Sequence, residues 1–217
     1  MAVINAVESG VSDATSLIAD CRAKQFCAKD VLYREGGTAA GVYRIRAGMV
    51  KLLSYLPNGR ARIIRLHSPD HWIGLESILG QPYEHTAVAV EDVDAQFVSL
   101  EKLRLLRCQE PAQFAEILTQ VYAHLVEADR WIAEFSTGGI KPRVARLIEF
   151  LSRFERSAAA GVVELLTVHE MADILGVTAE SVSRTLALFK RSQILTKQGS
   201  GHTYTFDSRK LRYVAQE

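Results

Sequence analysis

The sequence of 217 residues predicts an α+β protein in three parts: an N-terminal β-roll of jelly-roll type, a long dimerisation helix and a C-terminal winged helix-turn-helix. Three observations predict this. Residues 31–100 break into short strand-like runs separated by glycine turns. From 114 to 135, apolar residues recur at alternating steps of four and three. Residues 167–206 read as two capped helices followed by a small hairpin.

In the β module, Val42–Arg46 and Val50–Tyr55 are strand-like on either side of Ala47-Gly48, and Pro57-Asn58-Gly59 turns the chain before Ala61–Leu66. Further strands are expected over Thr86–Val90 and Ala95–Leu100. Cupin enzymes use a similar β architecture, but their metal motif needs a His-x-His pair, and none of the six histidines stands in one. Trp72, Tyr83 and Tyr122 can line a pocket or serve as plain core.

The seam of the long helix is Phe114, Leu118, Val121, Leu125, Ala128, Ile132 and Phe135, a heptad pattern held over three heptads. A strict 3.5-residue repeat favours a parallel pairing with a second copy, so a homodimer is expected. Ser136-Thr137-Gly138-Gly139 interrupts the helix as a hinge, and Pro142 stands near the start of the next one, about Lys141–Arg156, where its missing N–H costs little. The expected divisions are 1–109 for the β-roll, 110–136 for the dimer helix and 137–217 for the winged helix-turn-helix.

The segment Thr167–Arg184, TVHEMADILGVTAESVSR, carries the most information. Thr167 and Glu170 form a capping-box pair, so a helix should begin at Val168; Gly176 supplies the left-handed residue that ends it. Thr178 can cap a second helix whose Val182, Leu186 and Phe189 bury one face. Glu180, Ser183, Arg184 and Ala187 share another face, with Ala179 and Ser181 beside them. An Arg fork can donate twice to guanine O6 and N7, and a Glu can accept from the cytosine amino group, so these residue types at this spacing suit base reading. On an ordinary solvated helix Glu180 and Arg184 would form only an ion pair worth about 0.2–0.5 kcal/mol. Downstream, Ile194–Lys197 and Tyr204–Phe206 flank Gly199-Ser200-Gly201 as a wing. Between 178 and 212, seven Lys or Arg, among them Lys190, Arg191 and Lys197, face two acids, the sign that phosphate contacts need. Double-stranded DNA is the expected partner.

The run AESVSR before a leucine-rich helix resembles the recognition helix of the cyclic-AMP receptor protein and fumarate-nitrate regulator (CRP/FNR) family of bacterial transcription factors, and GVYRIRAGMVKLLSYLPNGRARIIRLHSPDHWIGLESI resembles the family's β-roll. The resemblance implies that Glu180 and Arg184 contact bases, that Ser183 stands where the fumarate-nitrate branch has Ser, that half-sites are TTGA-like and that RNA polymerase is a partner. It also places an effector pocket at Gly74, Leu75, Glu76, His85 and Thr86. In cyclic-nucleotide members this cassette holds a Gly-Glu pair and an Arg-Ser pair; here Leu75 takes the place of the Glu, and His85-Thr86 that of the Arg-Ser. An apolar Leu cannot accept from a ribose hydroxyl and a His is a weaker phosphate partner than Arg, which argues against cyclic AMP. An iron–sulfur cluster usually needs four Cys thiolates. The sequence has Cys21, Cys27 and Cys108, with Cys27 expected to enter the first strand, so a cluster is not expected. Reduced thiols are. Haem remains open through His67, His71, His85 or His124.

Composition agrees with a folded chain: 48% hydrophobic, 24% charged, net charge +1. The charge is unevenly spread, +4 over 1–70, −7 over 71–140 and +4 over 141–217, as suits a protein that presents one end to DNA. No apolar run reaches the length of a membrane span, and Met1–Gly10 lacks the charged start and apolar core of a signal peptide, so a cytoplasmic protein without a membrane partner is expected. No catalysis is expected. The competing expectation is a β-roll protein that does not bind DNA, either a cupin-like metalloenzyme or a ligand-binding regulatory subunit; residues 167–206 argue against it.

Overall fold

A computed structural model describes residues 21–154, 161–199 and 201–217. The reading of Met1–Gly10 and Ser200 of the wing turn lie outside the described residues, as do positions 155 and 156 of the helix expected to reach Arg156, which already ends at Leu151, where Ser152 caps it through its N–H to the Ile148 carbonyl.

The roll is built from β1 (Arg22–Phe26), β2 (Val31–Tyr33), β3 (Gly41–Ala47), β4 (Val50–Tyr55), β5 (Ala61–His67), β6 (Trp72–Ile73), β7 (Thr86–Ala89) and β8 (Val93–Ser99). They form two four-stranded sheets, ordered β1-β8-β3-β6 and β2-β7-β4-β5. β3 pairs antiparallel with β8 in the register Val42↔Val98 and Tyr43↔Phe97. Val42, Ile45, Val98 and Ile63 are essentially inaccessible, as the inward positions of a closed β module should be.

β1, β2 and β6 were not legible in the sequence: β2 and β6 carry too few residues to show a period of two, and β1, RAKQF, has no apolar alternation. The two strands expected on either side of Ala47-Gly48 are present as β3 and β4, and they belong to different sheets. Gly48 makes the corner at φ +82, where a Cβ would run into the Asp92 carbonyl, so the backbone itself selects glycine. Cys27 does not enter the first strand. It lies exposed in the turn after β1, and its N–H donates to Asp30 Oδ2 at 2.8 Å. Leu100 starts a helix instead of ending a strand, because the Ser99 side chain accepts from the Lys102 N–H at 3.3 Å and caps it.

That helix is α1 (Leu100–Gln109), followed directly by α2 (Pro111–Phe135). Leu103 and Leu106 of α1 and Ile117 of α2 pack with Val42, Trp72 and Val98 into one apolar cluster.

After the hinge come α3 (Ile140–Leu151), β9 (Val162–Glu164), α4 (Val168–Leu175), α5 (Ala179–Arg191), β10 (Leu195–Lys197), β11 (Thr203–Phe206) and α6 (Ser208–Ala215). β10 and β11 make the expected wing in the register Leu195↔Phe206, and unanticipated β9 adds a third strand in the order β10-β11-β9. Backbone contacts divide the chain into two compact units, 1–50 with 67–123, and 51–66 with 124–217. The β4–β5 hairpin therefore groups with the C-terminal elements.

α2 carries two unlike stripes. Leu118, Val121, Leu125 and Ile132 of the predicted seam are 49%, 43%, 59% and 60% exposed, while Phe114 and Ala128 are half-buried. Phe135 departs from the seam at 1% exposure. Its ring stacks edge-to-face on Trp131 (4.8 Å between centroids) and Phe150 (5.5 Å), because at the last position of α2 the aromatic side chains of α2 and α3 converge into one apolar cluster. Among the described residues no helix is long and apolar enough to cross a membrane.

Candidate nucleic-acid interface

The helix-turn-helix follows from its caps. Thr167 Oγ1 accepts from the Glu170 N–H at 3.3 Å while Glu170 Oε2 accepts from the Thr167 N–H at 3.0 Å, so both ends of the capping box are closed. Such a cap contributes about 1 kcal/mol to its helix. Gly176 ends α4 in the left-handed region at φ +63, and Thr178 Oγ1 caps α5 by accepting from the Ser181 N–H at 3.3 Å. With the turn and both caps local, α5 can point only one way relative to α4 once Met171, Ala172, Leu175, Val182, Leu186 and Phe189 are buried, as they are.

That burial turns the other face of α5 outward. Glu180 and Arg184 are exposed and joined by a 3.1 Å ion pair, their side chains 75% and 73% accessible. Ser183 is exposed beside them, Thr178 is exposed at the start, and Ala179 is half-buried. In this state Arg184 holds its own i,i+4 partner, worth only a few tenths of a kcal/mol in solvent, which a base edge can displace. Ser181 is half-buried, its hydroxyl 2.9 Å from Thr178 Oγ1 at the start of the helix. Lys190, Arg191 and Lys197 are exposed. Lys190 also reaches over the Tyr204 ring of β11 at 5.1 Å, a cation–π contact that ties α5 to the wing; aromatic Tyr204 at that point is a signal that the reading of charge alone passed over.

Two arginines of α3 secure the ends that meet at the hinge. Arg143 Nε donates to the Phe135 carbonyl at 2.7 Å and its Nη2 to the Leu175 carbonyl, joining the last turns of α2 and α4. Arg146 Nη2 donates to the Thr137 carbonyl at 3.0 Å, close above Gly138 at φ +85. These orphan carbonyls at helix ends need donors, and the guanidinium fork supplies two at once.

The roll's effector cassette has a different character. Gly74 sits at φ +75 before a 3-10 turn over Leu75–Leu79. Leu75 packs against the Val42–Trp72–Leu103 cluster instead of lining a ligand site, because an apolar side chain beside an apolar cluster gains more from burial there. Glu76 Oε1 accepts from the Glu84 N–H at 3.2 Å, and the buried Thr86 Oγ1 accepts from the Glu35 N–H at 3.0 Å. His85 is half-buried. Beside them Tyr33 and Tyr83 stack face to face at 3.9 Å, and the Tyr83 hydroxyl donates to the Gly41 carbonyl at 2.8 Å. The Tyr83 ring lies 2.9 Å from where a Cβ of Gly74 would be. Burial, helped by the Glu76 carboxylate, pushes the Tyr33 phenol well above its ordinary range, while the Gly74 backbone hydrogen bond opposes the shift. Two of the cassette's polar groups, Glu76 Oε1 and Thr86 Oγ1, are thus engaged by the protein's own backbone, and Leu75 offers no acceptor, so these residues do not fit a cyclic nucleotide. Sequence reading named Tyr83 but not Tyr33, whose approach depends on the pairing of β2 with β7.

Of the cysteines, Cys21 is half-buried and Cys27 and Cys108 are exposed. His67 and His71 stand with ring centroids 5.5 Å apart, and among the described residues no group of three or more His, Cys, Asp or Glu is placed to hold a metal ion.

A β-roll joined by a long helix to a winged helix-turn-helix with an outward polar reading face defines a class of DNA-binding transcription regulators, and comparison with known proteins agrees. The cyclic nucleotide-binding domain matches residues 23–108 and the Crp-like helix-turn-helix domain matches 145–213. The transcriptional regulator LdrP of Thermus thermophilus is 28% identical over 174 residues, 79% of this chain and 86% of LdrP. The structure of FixK2 from Bradyrhizobium japonicum superposes with a TM-score of 0.79 at 24% identity, covering 89% of this chain and 96% of that one. The structure of a CRP-family transcriptional regulator, also from Thermus thermophilus, gives 0.78 at 24% identity, covering 89% and 97%. The chain belongs to the CRP/FNR family of transcription regulators. A cupin-like enzyme or a regulatory subunit without DNA binding is not favoured.

Proposed function

We propose that the chain regulates transcription as a homodimer on a palindromic operator with TTGA-like half-sites, each α5 reading one half-site. Glu180, Ser183 and Arg184 make the base contacts; Thr178, Ala179 and Ser181 lie at the phosphates around the helix start; Lys190, Arg191 and Lys197 hold the backbone. The observation that carries this is the exposed Glu180–Ser183–Arg184 face on an α5 whose start is capped by Thr178. The exposed seam of Leu118, Val121, Leu125 and Ile132 supports pairing through α2. The working divisions are a roll over 1–109, a dimer helix over 110–136 and a reading domain over 137–217. The regulator is cytoplasmic, acts with RNA polymerase and catalyses no reaction. Its roll answers to an effector other than a cyclic nucleotide, since Tyr33 and Tyr83 fill the space beside Gly74 and Leu75 faces the core.

Selection from a random DNA pool tests the reading. The expected result is an inverted repeat with half-site centres about one helical turn, roughly 34 Å, apart. A pool with no enriched inverted repeat overturns it.

A further inference from the structure

The hairpin β4–β5 belongs to the C-terminal compact unit through residues 51–66, and those residues carry Lys51, Arg60, Arg62 and Arg65 with no acid. α4 carries Glu170 and Asp173, three positions apart and so on one face. The two charge patterns meet. Lys51 Nζ donates to Glu170 Oε1 at 2.6 Å, with the two side chains only 17% and 19% accessible. At the other end of α4, the Arg62 guanidinium lies against Gly176, in the space a Cβ would need. Arg143 donates to the Leu175 carbonyl one residue earlier. The hairpin therefore touches α4 at both ends: at the capping box that starts it and at the turn that hands the chain to α5.

Glu170 serves two partners at once. Its Oε2 accepts from the Thr167 N–H at 3.0 Å and the Thr167 hydroxyl at 2.7 Å, while Oε1 is left for Lys51. A capping box needs only the first oxygen, so the second contact is an addition that the helix itself does not require. A largely buried ion pair with a hydrogen bond is costly to break on one side only, because the remaining charge loses its compensation.

We propose that the β4–β5 hairpin braces the reading head, with Lys51 and Arg62 as positioning residues that hold α4, and through the Gly176 turn α5, in the orientation that meets DNA. This rests on the DNA-reading function proposed above. A braced head has little orientational freedom left to lose on binding, whereas an unbraced one must be ordered at the operator.

Operator binding by full-length Lys51→Met and Glu170→Gln decides the question. Glu170→Gln keeps an amide oxygen for the capping box and loses the charge; Lys51→Met leaves the capping box whole and loses the cation. The two changes shift net charge in opposite directions. A brace predicts that both weaken operator affinity in the same sense, by about tenfold, that the double variant is no weaker than the worse single variant, and that Lys51→Arg restores binding. If charge near the DNA were all that mattered, Lys51→Met would weaken and Glu170→Gln would strengthen binding. Opposite shifts, no shift, or tighter binding in both overturn the brace. Arg62→Met, which touches neither partner of the ion pair, should weaken binding like the others and keeps the test open if Glu170→Gln unfolds. Failure of the brace shows in variants of a protein that still selects its operator; failure of the DNA-reading function shows in the parent protein, which would select none.

Discussion

The reading head and the roll treat their polar side chains in opposite ways. On α5, Glu180, Ser183 and Arg184 point into solvent and are paired, where paired at all, by contacts that solvent makes cheap. In the roll, Tyr33, Tyr83 and Thr86 are buried, stacked or hydrogen-bonded to the backbone. A surface that keeps its donors and acceptors unspent can recognise a partner, and a site that has spent them inside is part of the core. α2 repeats the contrast within one helix, with Leu125 outside and Phe135 inside.

The sharpest test of the exposed side of this contrast is Leu125→Asp. A carboxylate at the centre of a paired seam would be buried without a partner, a cost of several kcal/mol. Sedimentation should show monomers, and specific DNA binding should be lost with the dimer. A variant that stays dimeric would place the interface elsewhere.

On the inner side, Tyr83→Ala removes half of the 3.9 Å stack and the hydrogen bond to Gly41, and should lower stability by about 3 kcal/mol or more in denaturant melts. A change below about 1 kcal/mol would mean that the ring is a movable cover over a ligand site. Calorimetric titration of the parent protein with cyclic AMP should likewise show no micromolar binding; tight binding coupled to stronger operator affinity would show that the stack opens.

Smaller effects separate reading from holding. Arg184→Ala should cost about 1–3 kcal/mol at the operator and relax preference at one G·C pair. Lys197→Ala should weaken binding to every sequence alike and reduce the salt dependence by about one unit. If both variants lost affinity without changing preference, α5 would be holding phosphates and another element would be reading bases.

The smallest expected effect is acid sensitivity at Glu170. Burial pushes its carboxyl upward, but hydrogen bonds from Lys51 and Thr167 and the Lys51 charge outweigh it, and the group is held below its ordinary value. A lowered folded value means a stabilisation present above the ordinary carboxyl range and lost as pH falls through the folded one. Asp173 on the same face, facing Arg60 and Lys51 and near His169, is raised by burial and works in the opposite sense. Urea melts across the acidic range should therefore show a shallower loss of stability at low pH in Glu170→Gln than in the parent; equal slopes would mean that the Lys51–Glu170 pair does not form in solution.

Much of the reading head was legible because its signals are local. Thr167 with Glu170, Gly176 and Thr178 mark helix ends within four residues of the hydrogen bonds they make, and the apolar spacing of Val182, Leu186 and Phe189 sets which face of α5 is buried. The face left over is the exposed one that carries Glu180, Ser183 and Arg184. Local signals ran out at β1, β2, β6 and β9, strands of two to five residues whose pairing comes from distant partners such as Phe97 opposite Arg22. They also ran out at Gly48, where the need for glycine comes from the Asp92 carbonyl, and at Phe135, which continues the heptad spacing but is claimed by Phe150.

By itself, then, the sequence determined which face of α5 is left outward with Glu180, Ser183 and Arg184 and the exposed apolar stripe of α2 from Leu118 to Ile132, since each depends on residue type and short spacing, while Leu75 and His85 in the nucleotide cassette were picked out by the resemblance to the family. Tertiary structure decided the stacking of Tyr33 on Tyr83, the inward turn of Phe135 and the meeting of Lys51 with Glu170, residues 119 apart in the chain. Packing brings together side chains whose separation along the chain carries no trace of their separation in space.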